Sequence, residues 1–139
     1  MTQSPDPARQ QPAVLAWFAR ADRRYEPLGE LDVRYTVSGI EGLSIRAIER
    51  SVLWYTEGKG EEDIGVHFFD RVHEPDDAES PAGEFRCRLP LSPLSYEGLI
   101  VKIRWCVRIR LFFAGGRDFV SEHIFDLGHV PAATFPARG

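Results

Sequence analysis

Apolar and polar positions alternate with period two over most of the chain, the repeat of strands with one dry and one wet face. The clearest segment is residues 99–113. Its odd positions, Leu99, Val101, Ile103, Trp105, Val107, Ile109, Leu111 and Phe113, are all apolar, while Lys102, Arg104, Arg108 and Arg110 occupy even ones. A helix would scatter those cations around its cylinder and break the apolar stripe. The segment therefore predicts one long antiparallel strand, buried on one side and basic on the other. Residues 119–127 supply its hairpin partner after a turn over 114–118. Pairing Phe113 with Phe119 sets Arg110 opposite Glu122 and sends Phe119, Phe125 and Leu127 to the core face. A two-residue Gly115-Gly116 turn would instead point Glu122 and Asp126 inward, burying unpaired carboxylates at high cost, so the longer loop is expected.

The same period runs upstream. Leu31, Val33, Tyr35 and Val37 alternate with charged and polar residues, and residues 38–42 (SGIEG) then supply a turn. Over residues 44–56, Ile48, Val52 and Trp54 share one parity while Ile45, Ala47, Leu53 and Tyr55 share the other, a switch that predicts a bulge or bend near Arg50. The acidic, glycine-containing stretch 57–63 reads as a solvated hairpin connection, after which Ile64, Val66 and Phe68 resume the alternation. Residues 73–83, rich in Pro, Asp and Glu, read as an exposed loop. Phe85, Cys87 and Leu89 form another alternating run before Pro90 and Pro93 interrupt the ladder. Residues 13–20 (AVLAWFAR) are too short for a period to show; helix and strand both fit, and the all-strand context favours strand.

These elements predict an all-β fold, an antiparallel immunoglobulin-like sandwich of about seven strands, with a closed barrel as the alternative. Residues 13–130 form its single domain. Residues 1–12, with three prolines and no large apolar residue beyond Met1, are expected to be a disordered N-terminal tail, and residues 131–139 a C-terminal one. A length of 139 residues suits one core. The net charge of −4 gives no global positive field for nucleic acid, and the cations of the longest apolar run exclude a helical membrane span there. Without a basic start and apolar middle at the N-terminus, a cytoplasmic location with reduced thiols is the expectation.

The run FRCRLPLSPLSYEG, residues 85–98, followed at once by LIVKIRWCVRIRLFF, resembles the arrestin-like fold. It is similar in particular to the carboxy-terminal half of arrestins and to single-domain relatives among bacterial sporulation-control proteins. The resemblance rests on Leu89-Pro90, on the turn Ser95-Tyr96-Glu97-Gly98, on Ile103, Trp105 and Val107 of the long strand, and on a strand pair with an acidic turn over residues 42–69. It implies an arrestin-like β-sandwich and a non-enzymatic binding role. Full arrestins pair two such sandwiches, and this sequence has length for one. It also lacks a Pro-Pro-x-Tyr sequence and a long tail of clathrin-adaptor type, so the partners of such tails do not carry over.

Catalytic and metal chemistry find little to stand on. His67 and His73, six apart on one strand, are expected on one side but about 20 Å apart, beyond the reach of one ion. His123 and Glu122 are adjacent and face opposite ways. Cys87, Cys106 and Ser121 sit inside alternating strands rather than on a sharp glycine-flanked turn, and Ser95 is expected to cap its own turn. The two cysteines are expected to be a reduced, packed pair, a bridge requiring their strands to be neighbours. The acidic runs Glu61-Glu62-Asp63 and Asp76-Asp77 lie in polar loops without the spacing of a calcium loop. No cofactor and no metal site is implied.

The basic row Lys102, Arg104, Arg108 and Arg110, spread over about 27 Å, is the most functional-looking feature. It suits an acidic or phosphate-bearing partner, or cross-strand pairing with Glu122, Asp126 and other acids. The expected function is that of an adaptor or scaffold binding a protein partner through a sheet face or an edge strand, with homo-oligomerisation through an edge strand also open. The rival is a small ligand-binding or hydrolytic sandwich with a pocket among its end loops.

Overall fold

A computed structural model describes residues 11–73 and 81–128. Its strands are β1 (Ala13–Phe18), β2 (Arg24–Tyr25), β3 (Glu30–Ser38), β4 (Ile45–Gly58), β5 (Ile64–His73), β6 (Ala82–Arg88), β7 (Tyr96–Glu97), β8 (Val101–Phe113) and β9 (Asp118–Leu127). Seven are full strands, as the alternation predicts, and β2 and β7 are two-residue bridges. They form a three-stranded sheet, ordered β1-β3-β6, and a six-stranded sheet whose path is β2-β9-β8-β4-β5, with β7 beside β8. The fold is therefore a sandwich, and residues 13–20 begin with a strand. Most of the two proposed tails, and the acidic pair Asp76-Asp77, lie outside the described residues.

The core is the shared interior of the two sheets. Leu31, Val33, Tyr35 and Val37 of β3 face Ile48 and Val52 of β4, Trp105, Val107, Ile109 and Leu111 of β8, and Phe125 and Leu127 of β9, all buried. Trp105 is fully enclosed and donates its indole N–H to the Pro93 carbonyl at 2.7 Å, so the one polar atom of the largest core side chain is satisfied. Phe68 of β5 stacks on Phe85 of β6, which closes one side of the sandwich.

Several expectations are corrected by register. The long strand starts at Val101, and Leu99 lies before it, 64% exposed. Across the β8–β9 hairpin Leu111, not Phe113, faces Phe119, and Arg108, not Arg110, faces Glu122. The connection is the loop Ala114-Gly115-Gly116, closed by the Phe113 N–H donating to Arg117 O, with both glycines at positive φ. The slip is two residues, so every side chain keeps its expected face.

No bulge lies at Arg50. The register shifts between Ile45 and Ala47 on the β8 side and between Val52 and Leu53 on the β5 side, where His67 is the extra residue. The extra residue at the second shift belongs to β5, so β4 keeps one parity from Ala47 onward and Ile48, Arg50, Val52 and Trp54 all face inward. The His67 bulge also breaks the alternation of β5: Phe68 packs on the core, whereas Ile64 and Val66 turn to the outer face, more than half exposed. His73 ends β5 opposite Ala47 on the outer side, while His67 meets the Trp105 ring inside, so the two histidines lie on opposite faces. The expected loop over 73–83 is correspondingly shorter, since His73 belongs to β5 and Ala82-Gly83 open β6.

Candidate functional site: the outer face of the six-stranded sheet

The even positions of β8 project from the outer face, and the strands beside it determine which acids they meet. Glu57 of β4 lies opposite Lys102, and Glu122 of β9 opposite Arg108, because both neighbours run antiparallel. Arg104 binds Glu57 at 2.8 Å and Glu97 of β7 at 3.1 Å, and Lys102 reaches Glu97 at 3.5 Å. Arg108 binds Glu122 at 3.2 Å and Arg110 binds Asp118 at 2.7 Å. All four cations of the basic row thus hold a carboxylate, and the row is a ladder of ion pairs rather than a bare positive stripe. Of the two acids expected from β9, Glu122 takes part; Asp118 and the β4 and β7 acids complete the set. Hydrogen bonding to Glu57 raises the Arg104 pKa further.

Beneath these pairs lies a second apolar layer. Leu53 and Cys106, opposite one another on β4 and β8, are fully buried although they face outward, because the long side chains around them form a cover. Cys106 Sγ donates to Glu122 Oε2 at 3.4 Å, and burial, reinforced by Glu122, pushes its thiol up to about 12. Cys87 lies on β6 in the other sheet, so the two cysteines belong to different sheets and both are free. Desolvation alone raises Cys87 to about 11.

Toward the β4–β5 hairpin this face carries a half-open depression of about 510 Å³ lined by Tyr55, Glu57, Glu62, Asp63, Arg108 and Glu122 among others. Burial raises the Tyr55 pKa. Beyond it, on edge strand β5, Ile64, Val66 and Phe69 are 57%, 59% and 55% exposed. Their register partners Tyr55, Leu53 and Ser51 place all three on the outer face, so they form an apolar row alongside the ion-pair ladder.

The remaining candidates have structural partners. Ser95 is buried and does not merely cap its turn: its N–H donates to Leu127 O and its Oγ accepts from Leu127 N–H, both at 2.9 Å, tying the β6–β7 connection to the end of β9. His67 Nε2 lies 2.6 Å from Arg88 O, linking the bulge to β6. Ser121 Oγ and His123 Nε2 are 2.9 Å apart on the inner face of β9, and burial lowers the His123 pKa, with Arg23 adding to the effect. That hydrogen bond is absent from the sequence reading, though both residues share a parity two apart.

Sequence reasoning also missed Arg50. Its guanidinium lies between the sheets, bonded to both oxygens of Asp70 at 2.5 and 2.6 Å, to the Tyr35 hydroxyl at 3.1 Å and to Glu84 O at 3.4 Å, with the Phe85 ring 5.4 Å away. The available signal was its parity with Ile48 and Val52. Among the described residues no group of three or more His, Cys, Asp or Glu side chains is arranged to hold a metal ion, and no helix is long and apolar enough to cross a membrane.

Comparison with known proteins bears on the fold. No family model and no curated protein matched the sequence. Among solved structures, Spo0M, a sporulation control protein from Bacillus subtilis, superposes with a TM-score of 0.63 at 19% identity, over 85% of this chain and 49% of Spo0M. The chain spans about half the length of that protein. With its two packed sheets, of three and six strands, this chain has the arrestin-like β-sandwich fold that it shares with Spo0M.

Proposed function

We propose that the chain is a non-enzymatic cytoplasmic adaptor or scaffold that holds a protein partner on the outer face of its six-stranded sheet, along edge strand β5. The observation that carries this reading is the exposed row Ile64, Val66 and Phe69 beside a ladder of paired charges. Large apolar side chains in a row on an edge strand suit a protein surface, and flanking charges supply selectivity at the rim. Lys102, Arg104, Arg108 and Arg110 then contribute by exchanging their own carboxylates for those of the partner, a smaller gain than bare cations would give.

Two variants test the reading by pull-down at low and high salt. Val66→Asp with Phe69→Ser is expected to abolish capture of a defined partner at both salt levels while leaving the melt within a few degrees. Replacing Lys102, Arg104 and Arg108 together by Gln is expected to weaken capture only at low salt. Full capture by both variants would end the proposal.

The hydrolytic alternative draws on the Ser121–His123 hydrogen bond and the depression. These lie on opposite faces of the sheet, since Ser121 and His123 point inward with Ile109 and Val107 whereas the depression is lined by Arg108 and Glu122. Labelling of Ser121 by a fluorophosphonate probe would favour that alternative.

A further inference from the structure

Among the described residues five strands pair on one side only, and they differ in how they are protected. β2 and β7 have two residues each; β5 is interrupted by the His67 bulge and carries Asp70, Arg71 and His73; β6 carries Glu84, Arg86 and Arg88. Short length, bulges and charges are the usual devices that stop a sheet edge from pairing with another chain. β1, AVLAWF, has none of them. It holds no charge, no proline and no bulge against β3, and its outward side chains Leu15 and Trp17 are 59% and 53% exposed. Among the described residues it pairs with β3 alone.

The ladder also shows which main-chain groups are open. The Ala19 N–H donates to Asp32 O, and these two residues continue the β1–β3 register. In an antiparallel ladder, residues that bond one neighbour alternate with residues that face away. The odd residues therefore bond β3, and Val14, Ala16 and Phe18 direct their N–H and C=O groups to the open edge. Pro12 has the same parity but no N–H, so the open ladder ends there.

We propose that β1 pairs antiparallel with β1 of a second copy of this chain, across a two-fold axis at Ala16. The pattern is its own complement about that residue. Ala16 meets Ala16 of the other copy, and Val14 meets Phe18, so the open groups form about six main-chain hydrogen bonds. Leu15 then lies opposite Trp17 in non-hydrogen-bonded pairs, where side chains approach closest, and each covers the apolar surface the other exposes. The two small sheets merge into one of six strands. A strand of six residues is about 20 Å long, and its pairing buries less than the roughly 1,600 Å² of a standard interface, so the dimer forms and dissociates with concentration. The pairing needs no foreign partner and stands apart from the adaptor reading.

Sedimentation equilibrium of the full chain from about 1 to about 500 µM tests it, the range in which a weak interface titrates. The expected result is a monomer–dimer equilibrium that Ala16→Pro abolishes. That N–H points away from β3, so the monomer keeps its own ladder and its circular dichroism. Leu15→Lys, which leaves the backbone intact, is expected to weaken the dimer at least about tenfold through charge at the Leu15–Trp17 contact. Ala16→Cys is expected to cross-link to itself under mild oxidation, since hydrogen-bonded partners stand about 5.5 Å apart at Cα. A monomer across the whole range, or a dimer unchanged by both Ala16→Pro and Leu15→Lys, would overturn the proposal. So would a dimer in which Ala16→Cys gives no cross-link.

Discussion

Arg50 and Asp70 form a two-point ion pair that reaches from the interior of the sandwich to its edge. The guanidinium is almost wholly enclosed, and the carboxylate keeps about a third of its surface in water (10% and 36% side-chain exposure). The pair joins β4 to β5, and Tyr35 and Glu84 O extend it to the other sheet. Removing one member of a buried pair leaves the other charge uncompensated, whereas replacing both by apolar residues is often neutral. Asp70→Ala is expected to cost about 2–3 kcal/mol in urea unfolding, below the roughly 3–5 kcal/mol of a fully buried pair because Asp70 is partly wet. Arg50→Met with Asp70→Val is expected to recover more than half of that loss; a double variant no better than Asp70→Ala would refute the account.

Gly83 stands opposite Tyr35 in the β3–β6 ladder, and a Cβ there would run into the Tyr35 hydroxyl and ring. The missing side chain gives the tyrosine room to reach Arg50. Gly83→Ala is expected to destabilise by about 1–3 kcal/mol through this overpacking, despite the usual preference of strands for Ala over Gly. Tyr35→Phe removes the hydroxyl and should soften the effect of Gly83→Ala in a double-mutant cycle; strictly additive losses would contradict the proposed contact.

The two thiols should be inert in the native protein. With Cys106 held up to about 12 and Cys87 up to about 11, almost no thiolate exists at pH 8. Ellman's reagent is expected to titrate both in guanidinium and to react with the folded chain only as slowly as it unfolds. A rapid burst of one equivalent without denaturant would show an accessible thiolate.

His123 predicts a direction for stability against pH. Its folded pKa lies below the ordinary 6.5, because burial disfavours the imidazolium and Arg23 repels it. Above 6.5 both folded and unfolded chains hold a neutral ring and the residue contributes no slope. As pH falls from 6.5 to the lower folded value, the unfolded chain takes up the proton first and stability declines. Chemical denaturation of His123→Gln should therefore show a shallower loss between pH 7 and 5 than the parent chain. An equal slope in both would remove His123 as its source.

Alternation was legible in the sequence because it is local: each residue's parity decides its face, and a stretch such as residues 101–113 needs nothing distant to specify it. From that came the seven full strands, the inward set Leu31, Val33, Tyr35, Trp105, Val107 and Ile109, and the outward cations of β8. A resemblance carried by Leu89-Pro90 and the Ser95 turn extended it to the arrestin-like sandwich. Pairing was decided by the tertiary structure. Periodicity left Lys102 and Arg104 with two readings, a partner's acids or cross-strand pairs, and it is β4 and β7 that bring up Glu57 and Glu97, which lie far away or across a turn along the chain. Arg50 read as a break in parity because its counter-charge, Asp70, stands twenty residues on, and a bulge at His67 is needed to keep both in register. The same bulge turns Ile64 and Val66 outward and separates His67 from His73. Hydropathy records only whether a side chain tolerates burial; which partner makes burial of a charge affordable depends on strand order and register, and those emerge only when distant segments meet.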